Sequence, residues 1–271
     1  MKILYFGGGL GNQVFEYSFY LYLKDFFPKE KFYGIYDASR FKEHAGGFEL
    51  SKVFNVELPP FSWKAHWLMR GIMLWNRILK TPLYCHNLTN PNIDAVLFNA
   101  FKMSKIFYEK RIDWISFKPI NLCEKNKRII DLMMVNHSVS IHVRRGDFLS
   151  AKYAVKHAGV ATEMYYSRSI KYVNEQFKNP MFFVFSDDIQ WCKNNLGLEN
   201  AHYVDWNVGK NSYIDMYLMG FSKVNIIANS TFSYWGAYLS KNKPLVIYPR
   251  RWKFSEADNL DIFPEEWVAI E

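Results

Sequence analysis

Cysteine is scarce in this chain. Cys85, Cys123 and Cys192 are three, odd in number and far apart, which argues against a disulfide framework or a CxxC zinc site and points to a reducing compartment. Long apolar runs are missing too. No stretch approaches the roughly 18 uninterrupted apolar residues of a spanning helix, and the opening MKILYF breaks at Gly7-Gly8-Gly9 before reaching signal-peptide length. The expected location is cytoplasmic, either free or peripheral on the inner membrane face. Internal repeats and low-complexity tracts are absent. Lys and Arg are spread along the chain without a C2H2, RRM-like or basic-zipper pattern, so nucleic acid is not an expected partner. His44, His142 and His157 lack HExxH or equivalent ligand spacing, and no structural metal is expected.

Apolar and aromatic side chains are plentiful. A hydrophobic fraction of 49%, with 9 Trp, 18 Tyr and 23 Phe, supports a folded core and excludes global disorder. The formal charge of +8 suggests an anionic partner such as a nucleotide phosphate or a membrane surface. A chain of 271 residues holds one large α/β unit or two Rossmann-sized halves.

Strands are predicted at 2–6, 32–36, 138–143, 181–185, 224–228 and 245–248. Helices are predicted at 13–27, 63–80, 97–111, 129–134, 162–176, 213–221 and 234–239. Their alternation favours parallel sheets, and a domain boundary is expected just before the strand at 138. In WKAHWLMRGIMLWNRILK (63–80), His66, Arg70, Arg77 and Lys80 fall on one side of a helix, and Trp63, Trp67, Leu74, Trp75 and Ile78 on the other. Two readings stand: an amphipathic helix packed on the core, or a basic interfacial helix on anionic lipid.

In open parallel sheets ligands gather beyond the carboxyl ends of the strands. The residues there are Gly7 to Asn12, Arg144 to Asp147, Ser186 to Asp188 and Asn229 to Ser233. Arg144 and Arg145 carry the strongest signal, because a guanidinium matches phosphate oxygens bidentately and keeps its proton. Gly146 permits close backbone approach, and Asp147 can orient an arginine. Asn229-Ser230-Thr231 before Phe232-Ser233 offers hydroxyls and helix-start amides, suited to phosphate or to plain capping. Asp187 and Asp188 suit guanine donors, or cap a helix beginning near Gln190. The glycine turn fails the dinucleotide fingerprint, since Val14 stands where the third glycine belongs.

In order, GGGLGNQVFEYSFYLYL, SIHVRRGDFL, FFVFSDDIQWCKNNL and DMYLMGFSKVNIIANSTFSYWGAYL closely resemble the α-1,2-fucosyltransferase family, from the first strand to about Pro249. The resemblance implies two Rossmann-like domains facing a cleft (GT-B-like): an acceptor-side domain over 1–135 and a nucleotide-sugar-binding domain over 136–271. It also implies inverting transfer of L-fucose from GDP-β-L-fucose to O2 of a terminal galactose in a glycan, with no cofactor and no obligatory metal. By motif position, Arg144 contacts the diphosphate, with Arg145 and Asp147 in support. Asn229, Ser230, Thr231 and Phe232 form the phosphate turn. Asp187, Asp188 and Asp215 serve guanine or hold the motif together, and Gly11 and Asn12 face fucose. For the base that takes the acceptor proton, residue type leaves Asp147, Glu16 and His142 open. The chain departs from the family pattern at Glu16, Gly220, Ser222, Val224 and Tyr234.

Overall fold

The computed structural model describes residues 1–41, 47–86, 91–99, 102–111, 113–150, 154–155, 157, 159–253 and 261–271. His44 lies outside them. The chain divides into two compact units, Met1–Lys118 with Leu260–Ile262, and Pro119–Asn259 with Phe263–Glu271.

In the first unit a four-stranded parallel sheet runs in the order β2-β1-β4-β3, from β1 (Lys2–Tyr5), β2 (Phe32–Ile35), β3 (Tyr84–Cys85) and β4 (Leu97–Asn99). β1 is buried along its whole length, as a central parallel strand covered on both faces must be. Helix α1 (Leu10–Phe26) comes after the glycine turn, and its Phe19 meets Phe98 and Phe107 edge to face at 5.1 and 5.0 Å. After the short α2 (Leu50–Val53), helix α3 (Trp63–Ile78) is capped by Ser62, whose hydroxyl accepts from the Ala65 N–H.

The predicted helix at 97–111 is not formed where described. Leu97 and Phe98 instead pair with Ile3 and Leu4 beside β1, and only a single 3-10 turn succeeds them at Lys105–Phe107. A short apolar run has no decisive period, and the vacant place next to a central strand settles its form.

The second unit is a six-stranded parallel sheet built from β5 (Ser138–Val143), β6 (Met181–Ser186), β7 (Ala201–Val204), β8 (Val224–Ile226), β9 (Leu245–Pro249) and β10 (Val268–Ile270). The order is β10-β9-β8-β5-β6-β7, the Rossmann order in which the chain winds outward in both directions from one central gap. Helices α4 (Glu124–Val135), α5 (Glu163–Gln176), α6 (Ile189–Asn195), α7 (Tyr213–Met219) and α8 (Thr231–Tyr238) connect the strands. The sequence reading overlooked β3, β7 and β10, which are two to four residues long and too short to show a period.

The boundary falls at 118/119, not at 135/136. Ile129 and Met133 of α4 are buried with Phe183, Phe185 and Leu218 of the second unit, so this helix is part of that unit's core. Val139, Ile141 and Val143 point into a separate cluster with Tyr165, Tyr166 and Val173 of α5 on the opposite face of the sheet. Among the described residues no helix is long and apolar enough to cross a membrane.

Candidate active site at the strand ends of the second unit

The switch point of the second sheet lies between β5 and β8, the gap from which the chain winds both ways and where such folds bind ligands. Val143 pairs with Ser186 on one side, and Ile141 with Ile226 on the other. Arg144 and Arg145 therefore emerge between Asp187-Asp188 beyond β6 and Asn229-Ser230 beyond β8.

Contacts among these residues are specific. Arg144 Nε lies 2.9 Å from Asp147 Oδ1, and its Nη1 lies 3.1 Å from Asp187 Oδ2. The Arg145 N–H donates to Asp187 Oδ1 at 2.9 Å, Arg145 Nε pairs with Asp188 Oδ2 at 3.1 Å, and its guanidinium sits 4.2 Å above the Trp191 ring. Asp188 also accepts from the Trp191 N–H at 3.1 Å, so it caps α6 while holding an arginine. A Cβ on Gly146 would stand 2.9 Å from Asp187 Oδ2, which is why this position carries no side chain. Two guanidiniums face three carboxylates, an excess of one negative charge. Net charge would not attract an anion here; directed N–H donors and the start of α8 must supply the attraction.

Ser230 caps α8 by accepting from the Phe232 N–H at 3.3 Å, placing the helix start and its partial positive charge beside the β5–β8 gap. Thr231 is the first residue of that helix. Asn229 is buried, and its amide donates to the Trp252 carbonyl at 3.0 Å and to that of His157 at 3.4 Å. Its side-chain amide ties two loops together.

The three candidate bases separate clearly. His142 is buried in β5, stacked on Phe232 at 5.6 Å, and burial followed by the nearby Arg144 charge pushes its pKa down to about 3. It is a neutral packing group with little basicity. Glu16 is buried in α1, and both its oxygens accept from the Gly7 N–H at 3.1 Å. Burial raises its pKa well above the carboxylate range. It holds the glycine turn from behind. Asp147 stands at the arginine cluster with its side chain 39% exposed.

Gly11 and Asn12 open α1 just beyond β1 in the first unit. There Gly8 has φ +75°, a backbone conformation that favours glycine, and a Cβ on it would crowd the Asn12 side chain. Asp215 is half-buried and belongs to a network, apart from the arginine cluster, that runs inward to the buried Asn207 and Asn126. Its Oδ1 accepts from Asn207 at 2.7 Å, Asn207 and Asn126 bond to each other, and Trp206 Nε1 donates to Asn126 at 2.7 Å. Burial lifts the Asp215 pKa to about 7, against the Asn207 hydrogen bond.

The sequence reading missed the partners Trp191, Asn207 and Asn126, and it missed Arg250-Arg251 immediately beyond β9. Those arginines repeat the pattern of a buried strand ending in two guanidiniums, a signal that was available. β9 lies two strands from β5, about 10 Å away at the usual spacing. Arg250 pairs with Glu271 at 2.8 Å. The departures from the family pattern at Ser222, Val224 and Tyr234 are core positions, almost wholly buried.

Two Rossmann-type units, one with paired arginines and a capped helix start at its switch point, define a glycosyltransferase of the GT-B-like class. The chain belongs to glycosyl transferase family 11, whose pattern matches residues 121–271, and the α-1,2-fucosyltransferase resemblance is thereby upheld. It is 34% identical to an alpha-1,2-colitosyltransferase of Escherichia coli, with 97% of each chain covered. To the O-antigen biosynthesis glycosyltransferase WbnK of Escherichia coli it is 28% identical, covering 97% of this chain and 98% of that one. A galactoside alpha-(1,2)-fucosyltransferase 2 of Sus scrofa is 27% identical over 49% of this chain and 41% of its own. Among solved structures, a NodZ alpha-1,6-fucosyltransferase soaked with GDP-fucose shares the fold, with a TM-score of 0.51 at 12% identity, covering 90% of this chain and 96% of that one.

Proposed function

We propose that this glycosyltransferase moves L-fucose from GDP-β-L-fucose to O2 of a terminal galactose in a glycan, with inversion, giving an α-1,2 linkage. The observation that carries the reading is Arg144 at the tip of β5, its guanidinium fixed by Asp147 and Asp187 beside the start of α8. As the bond between fucose C1 and the β-phosphate oxygen breaks, negative charge grows on departing GDP and positive character on the sugar. A guanidinium already held in place stabilises that charge without reorganising. The acceptor O2 attacks C1 from the opposite face and its proton passes to Asp147, the candidate base that is neither core-buried nor bonded to the glycine turn. The products are the fucosylated acceptor and GDP. No metal is invoked, because Arg144, Arg145 and the α8 amides are assigned to the diphosphate.

The relatives named as galactoside alpha-(1,2)-fucosyltransferases support fucose as the transferred sugar and a galactoside as acceptor. The colitosyltransferase relative, covering nearly the whole chain, favours a second reading in which the same site transfers colitose from its GDP-sugar.

The test offers GDP-fucose and GDP-colitose separately with galactose-terminated acceptors and reads product linkage by NMR. Fucose at O2 of galactose is expected. Arg144→Ala should lower turnover by at least about 10²-fold, corresponding to roughly 3 to 4 kcal/mol for one directed donor, in a folded protein. Transfer of colitose alone would replace the donor assignment, and normal turnover in the variant would remove Arg144 from the chemistry.

A further inference from the structure

Helix α3 is the largest feature that the transferase site leaves unused. Its Ala65, Met69 and Ile72 are buried against Ile3, Tyr5, Ile35 and Leu97 of the first sheet. The aromatic side, one reading of which packs it on the core, faces solvent. Trp63, Trp67, Leu74, Trp75 and Ile78 are 69, 66, 61, 63 and 78% exposed, and Phe61, Leu79 and Leu83 extend the patch. Ala65, Met69 and Ile72 meet the sheet and leave the helix's tryptophans outside. Trp63, Trp67, Leu74 and Ile78 fall within an arc of about 60° at 100° per residue, a continuous apolar stripe of a kind that marks an interaction surface.

Charge identifies what covers it. Between Leu58 and Ile93 the sequence contains Lys64, Arg70, Arg77 and Lys80 and not one Asp or Glu. Arg70 and Arg77 border the stripe on one side and Lys64 on the other. Among the described residues, none of these four cations is paired with a carboxylate. A second copy docked on this face would bring cation against cation with no acid to meet them. An anionic lipid surface satisfies each feature at once. Headgroups neutralise the cations, indole rings settle at the interface with their N–H groups toward water, and Leu74 and Ile78 enter the acyl boundary.

We infer that α3 lies in the headgroup plane of an anionic bilayer and docks the protein peripherally. The inference is independent of the donor and acceptor assigned above.

The test uses the full chain with vesicles of phosphatidylcholine alone, and with vesicles of equal parts phosphatidylglycerol and phosphatidylcholine. Cosedimentation and the shift of tryptophan emission are read at low and high salt. The wild type should sediment with the anionic vesicles, weakly with the neutral ones, and less as salt rises. Trp67→Ser with Leu74→Ser, and separately Arg70→Glu with Arg77→Glu, should each weaken the partition by at least about tenfold. GDP binding should stay unchanged, since these exposed residues belong to the first unit and the arginine cluster to the second. Wild-type protein left in the supernatant, equal binding to both vesicle types, or variants that sediment like the wild type would overturn the assignment. So would a concentration-dependent dimer that the Trp67→Ser, Leu74→Ser variant abolishes, which would give the face to self-association.

Discussion

Asp215 offers a prediction whose size can be worked from the structure. Asp215 is half-buried with Asn207 as partner, and desolvation of its carboxyl raises the pKa from 3.8 to about 7. The difference of about 3 units at 1.36 kcal/mol each corresponds to roughly 4 kcal/mol between the two protonation states. The folded-state pKa lies above the unfolded one, so the folded protein binds the extra proton. Stability from this group is full below about pH 4 and is lost as pH rises toward about 7. Asn in its place keeps an acceptor for Asn207 and imitates the protonated acid without titrating. Asp215→Asn should therefore gain about 2 to 3 kcal/mol on the wild type in going from pH 5 to pH 8. Urea unfolding of both proteins at the two pH values measures this, and contributions from His142 and other groups common to both cancel in the difference. GDP affinity should change less than about threefold, because Asp215 bonds to Asn207 and not to the arginine cluster. An offset between the proteins that is the same at both pH values would refute the burial argument. A large loss of GDP affinity would return Asp215 to the guanine site.

Two further substitutions probe the machinery. Gly146→Ala would drive a methyl group to 2.9 Å from Asp187 Oδ2, displacing the carboxylate that holds both Arg144 and the Arg145 N–H. Turnover should fall by at least about tenfold with GDP affinity reduced, as steady-state kinetics and calorimetry would show, and unchanged kinetics would mean that Asp187 yields without moving the arginines. Glu16→Gln keeps an oxygen for the Gly7 N–H, so kcat should remain within about threefold of wild type. A loss of about 10²-fold or more would make Glu16 a catalytic base after all.

Residues whose meaning is local were legible without a fold. Strands β1, β5, β6 and β9 are short apolar runs closed by Gly, Arg, Ser or Pro, and most helices were recognised by period and caps. The principal candidate groups, Arg144 through Asp147, Asp187-Asp188 and Asn229 to Phe232, stand immediately after buried strands in the chain. That position alone marks them, because strand ends in parallel sheets lie at one edge. The glycine at 146 was also readable as a point of close approach.

Tertiary structure decided whatever depends on partners distant in sequence. It made a central strand of Leu97–Asn99, because hydrogen bonding to β1 outweighs any local preference of a short apolar segment. It assigned α4 to the second unit through Ile129 and Met133, moving the boundary. Among three acids and bases equal by residue type, it buried Glu16 and His142 and left Asp147 accessible, since pKa and reach are set by surroundings. It also left the tryptophan face of α3 uncovered, for the helical period tells which residues share a side but not which side meets the core.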